Sequence, residues 1–66
     1  MPSAEQARWV FDTVQDKTDP PVRSQMHVQA TTLDEAVAAA KRMLPEGWRF
    51  SRDAEGNPKY RMLGLA

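Results

Sequence analysis

Catalysis and metal binding need groups that converge, such as a nucleophile beside a base, a pair of carboxylates or several ligands on one ion, and this chain offers few of them. Its single histidine, His27, lies mid-strand on a polar face with no motif around it. A general base needs an orienting partner and a cleft. A zinc ion needs several nitrogen, sulfur or carboxylate ligands, which a lone histidine and no cysteine do not supply. Asp34 and Glu35 fall where a helix begins, and its dipole and cap account for them. Asp53 and Glu55 fall in a turn. Gly47, Gly56 and Gly64 lack the spacing of a phosphate-binding loop and read as a helix stop, a turn and a tail. No catalytic residue, metal ligand or cofactor is expected, and an enzyme is the least favoured class.

What the pattern does gather is basic and amide side chains. Counting by twos along three predicted strands puts Arg23, Gln25, His27, Gln29, Arg49, Ser51, Lys59 and Arg61 on one face, with no acidic residue from those strands. Such a face can follow phosphates or dock on an acidic protein surface. It is also what an ordinary solvated sheet face carries. The candidate partner-binding residues are Arg23, Gln25, His27, Arg49, Lys59 and Arg61.

The elements that must position these residues centre on Val22 to Gly47. Val22, Ser24, Met26, Val28 and Ala30 alternate with the polar set and are expected to face a core. Thr32 and Glu35 form a capping box in which the hydroxyl accepts from the Glu35 N–H and the carboxylate reaches back to the N–H of Thr32. Leu33, Ala36, Val37, Ala40 and Leu44, with Met43 beside them, make an apolar stripe at helical spacing. Pro45 and Gly47 end the helix. Its outward residues, Glu35, Ala38, Ala39, Lys41 and Arg42, include a flat alanine patch that could receive a second copy, although helix propensity alone accounts for alanine there.

Upstream, Arg8 to Gln15 reads as the first strand, with Trp9 and Phe11 on one side and Val10 and Val14 on the other. Periodicity allows either side inward. Burying the larger pair selects Trp9 and Phe11, whereas the flipped strand would place them on the basic face as a base-stacking platform. Residues 16–21, with two prolines, make a loop that lets the first two strands form an antiparallel hairpin. After the helix, Trp48 and Phe50 point inward on a third strand, and 53–58 supply the turn of a second hairpin. Tyr60 and Met62 on the fourth strand return to the inner face. The expected fold is α+β, a mainly antiparallel sheet of about four strands with one helix packed on one face, in the order β-β-α-β-β.

At 66 residues the chain makes one domain, 1–66, with residues 1–6 expected to fray. A chain this short buries only about 60% of its unfolded surface. No disulfide reinforces it, because it has no cysteine, so the two Trp, two Phe and one Tyr carry much of the burial. Nine Lys and Arg balance nine Asp and Glu, which removes any long-range steering toward nucleic acid or an anionic membrane. With neither an apolar span nor a signal-peptide pattern, the expected location is the cytoplasm, that of a host cell if the gene is phage-borne.

The opening strand ending Phe11-Asp12-Thr13-Val14-Gln15-Asp16, the polar loop, the strand ending His27-Val28-Gln29-Ala30 and the helix begun by Thr32-Leu33-Asp34-Glu35-Ala36, with a closing hairpin, resemble small phage-encoded anti-CRISPR proteins that inhibit type I surveillance complexes. The likeness is architectural and covers nearly the whole length. It implies a non-enzymatic inhibitor without a cofactor that docks on a guide-RNA effector complex and obstructs target DNA. The strand and Thr-Leu-Asp-Glu-Ala helix also resemble antitoxins of the HicB kind, but the glycine and proline loop expected before that family's helix is missing from Arg23 to Thr31. Three readings follow: a binding protein docking its basic face on a large protein or nucleoprotein partner, a direct nucleic-acid-binding module, and a dimerising structural or antitoxin-like subunit.

Overall fold

The computed structural model describes residues 5–15 and 17–65; the fraying expected of residues 1–4 and the part of the first loop at Asp16 lie outside them. Four strands and one helix follow in the order β1 (Ala7–Gln15), β2 (Val22–Ala30), α1 (Leu33–Met43), β3 (Trp48–Phe50) and β4 (Tyr60–Leu65). The fold is α+β, an open antiparallel sheet with the helix across one face. β1 and β2 form the expected hairpin, with Trp9 opposite Val28 and Phe11 opposite Met26.

β1 occupies the centre of the sheet. β2 pairs along one edge, while β3 and β4 share the other, β3 against Thr13 to Gln15 and β4 against Ala7 to Phe11. The second hairpin, expected to pair β3 with β4, does not form in that way. Both strands run in the same direction along β1, and residues 51–59 loop out opposite the single residue Asp12. The Asp12 carbonyl accepts from Ser51 N–H at 2.9 Å, and the Asp12 N–H donates to the Lys59 carbonyl at 3.2 Å. The excursion then closes on itself, with Lys59 N–H donating to Ser51 at 2.8 Å and a bridge between Arg52 and Pro58. At its tip the Asp53 carboxylate accepts from the N–H groups of Glu55 (2.9 Å) and Asn57 (3.0 Å), the side-chain turn that Asp favours. Turn residues at 53–58 thus make a real turn. Pairing with β1 wins for the flanking strands because it lets Phe50 and Tyr60 both reach Phe11.

The helix begins as its cap dictates. Thr32 is extended, and its hydroxyl accepts from Glu35 N–H at 3.2 Å. The reciprocal bond differs from expectation, since the Glu35 carboxylate takes the N–H of Thr31, one residue further back, at 3.3 Å. At the other end, Pro45 drives Leu44 into extended backbone with ψ 122°, and Gly47 turns the chain at φ +88°. α1 packs on β2 and β1 and stops short of β4.

The core lies between this helix and the sheet, made of Ala7, Trp9, Phe11, Val28, Ala30, Ala36, Ala40 and Phe50. Trp9 and Phe11 face inward, as burial of the larger pair requires. The flipped strand, with its stacking platform on the basic face, is overturned. The Trp9 indole N–H donates to the Ala30 carbonyl at 3.0 Å, so the ring is buried without stranding its polar atom. The Phe11 ring meets those of Phe50, at 5.6 Å between centroids, and Tyr60, at 6.2 Å, both in tilted contacts. Three expectations about facing change. Val22 and Ser24 are exposed because that end of β2 runs past the helix, Met43 points to solvent, and Ala39 packs against the core instead of outward.

Phe→Ala in a core costs about 3–5 kcal/mol, and a domain this size holds roughly 3–10 kcal/mol in all. Phe11→Ala should therefore leave a large unfolded fraction at 25 °C, read by circular dichroism and urea titration, whereas Thr32→Ala should cost only about 1 kcal/mol.

Candidate functional site

Residues paired across neighbouring strands share a face, so the register fixes what the helix-free side displays. Its central row is Arg8, Val10, Asp12 and Val14 from β1. On the β2 side stand Gln29, His27, Gln25 and Arg23, respectively opposite these four. On the other side Arg61 is opposite Val10 and Arg49 is opposite Val14. Beside Asp12, where the excursion leaves and rejoins the sheet, Asp12, Arg23, Gln25, Ser51 and Lys59 line a hollow of about 370 Å³. The structure therefore places Arg23, Gln25, His27, Arg49, Lys59 and Arg61 around one face, with Arg23, Gln25 and Lys59 brought to a common hollow.

Two members of this face, Arg8 and Asp12, escape a count made on β2, β3 and β4 alone. The same alternation along β1 supplies them, given that β1 sits between the other strands. Among the described residues, five cations, Arg8, Arg23, Arg49, Lys59 and Arg61, thus share this face with one carboxylate, Asp12. A long anionic ligand lying across the centre would meet Asp12, whereas a partner with its acids spaced around a donor would match both signs.

No helix covers this side, yet Val10 is only 2% exposed and Val14 only 6%. Val10 lies between His27 and Arg61, and Val14 between Arg23 and Arg49. Long side chains lay apolar stems over such positions while their charged ends stay in water. The flanking strands therefore leave a narrow apolar floor, Val10 and Val14, that is closed to water between the charged positions.

No protein-family model matches the chain, and comparisons with curated proteins and with solved structures find no match. Among the described residues no helix is long and apolar enough to cross a membrane.

Val10→Ala removes two buried methyl groups at about 0.8 kcal/mol each, plus a cavity term. It should destabilise the domain by about 2 kcal/mol despite lying on the helix-free face, while Val22→Ala at an exposed position should change stability by less than about 0.5 kcal/mol. Paired urea titrations measure both.

Proposed function

We propose that the protein is a small non-enzymatic binding protein that docks its helix-free sheet face on a large protein or nucleoprotein partner. The observation that supports this reading is the gathering of five cations with the carboxylate of Asp12 on a face where, among the described residues, no helix packs. In architecture the chain resembles anti-CRISPR inhibitors of type I surveillance complexes, which makes such a complex the first partner to test. Docking there would obstruct target DNA by occupying its path. Direct binding of nucleic acid is the second reading, and phosphate contacts alone would have to carry it, because Trp9 and Phe11 face the helix.

Arg23→Glu with Lys59→Glu reverses two exposed charges at the common hollow and leaves the core untouched. The double variant should keep the wild-type circular dichroism and lose capture of a type I effector complex in nuclease-treated lysate. Retained capture rejects the face as the docking surface. If binding proves nuclease-sensitive, log K against log salt should fall with a slope no steeper than about −4 to −5 for five phosphate contacts on duplex DNA.

A further inference from the structure

The apolar surface that the core leaves uncovered is concentrated on β4. Tyr60 is 45% exposed, Met62 57%, Leu63 52% and Leu65 66%, all within one six-residue strand. α1 stops short of this strand, and among the described residues nothing pairs with its outer edge. The opposite edge, β2, is guarded by Arg23, Gln25, His27 and Gln29, the polar and charged side chains that discourage strand addition. β4 carries one charge, Arg61.

We propose that β4 pairs antiparallel with β4 of a second copy, joining the two four-stranded sheets into one of eight strands, six of them abreast in the order β2-β1-β4-β4-β1-β2, with each β3 sharing the β1 edge beside β4. The register of β4 argues for this occupant in particular. A shift between Arg8 and Trp9 sets an extra residue, Leu63, into β4, so that Met62 pairs with Trp9 while Gly64 pairs with Arg8. Tyr60, Met62 and Leu65 consequently share the helix side, and Arg61 and Gly64 share the other. This pattern is symmetric about the midpoint between Met62 and Leu63. A two-fold axis there sets Tyr60 against Leu65 of the other copy on one face, and Arg61 against Gly64 on the other.

In this register the two Arg61 side chains avoid each other, each lying over a glycine. The chain's balanced charges add no net repulsion between copies. A strand of this length spans about 20 Å, and its interface falls near or under about 1,200 Å² in total, so the dimer is a reversible one.

Sedimentation velocity of the full chain should show a concentration-dependent monomer to dimer shift up to about 500 µM, as expected of a small interface. Met62→Glu with Leu65→Glu, both at exposed positions, should weaken the dimer at least tenfold with unchanged circular dichroism, whereas Val22→Glu on the β2 edge should leave it intact. Because the chain has no cysteine, Tyr60→Cys with Leu65→Cys tests the register directly. The two sites are too far apart within one copy to bridge, so mild oxidation should give a covalent dimer. A wild type that stays monomeric throughout, or a dimer that survives the β4 glutamates, overturns the proposal.

Discussion

A β-strand can satisfy its backbone on two edges, and in this protein one strand supplies both edges to every other strand. β1 holds β2 along its full length on one side and divides the other side between β3 and β4. The division falls at Asp12, whose carbonyl and N–H bond to the two ends of the same excursion. β3 and β4 make no ladder with each other, so their alignment depends on β1 and on the bonds that close the excursion between them. That is why β1 is also where the burial is densest. Trp9 and Phe11 fill the helix side and Val10 and Val14 the other, so a strand with apolar groups on both faces is one enclosed on both faces.

The two faces are enclosed by different means. On one, a helix lays Ala36 and Ala40 against the aromatic rings, small residues that allow close approach. On the other, Val10 and Val14 are flanked by charged and polar residues of the neighbouring strands, His27 and Arg61 beside Val10 and Arg23 and Arg49 beside Val14. A helix covers by fixed packing, whereas arginine stems cover by a preference that water contests. The helix-free face can therefore rearrange its cations toward a partner while its apolar floor remains closed. The helix, for its part, spans only β2 and β1, and the uncovered remainder of the sheet becomes the apolar strip on β4.

Much of this was readable from local rules. The alternation of β2, the cap at Thr32 and the stop at Pro45 each arise within a few residues, and the β2 and helix boundaries follow from them. What escaped depends on distant parts of the chain. Whether 53–58 joins two paired strands or a loop that stands off a third is not written in the turn residues, because Asp53 makes the same side-chain turn in either case. The place of β1 at the centre is likewise non-local, and with it went Arg8 and Asp12. Only strand order shows that they stand in the middle of the basic face. The exposure of Tyr60 and Met62 was hidden for a related reason. Their facing was right, but how far across the sheet the helix reaches is set by packing and not by periodicity.

The excursion at 51–59 has a consequence for how this protein can change. Its ends are clamped to one another and to a single residue of β1, and its tip is held by its own Asp53 and by the Arg52 guanidinium on the Gly56 carbonyl at 2.8 Å. Nothing in the strand register counts the residues between those ends. Lengthening or replacing the tip leaves Phe50 and Tyr60 on Phe11, so the loop is a natural graft point where a lineage, or an engineer, can add new sequence without renegotiating the sheet.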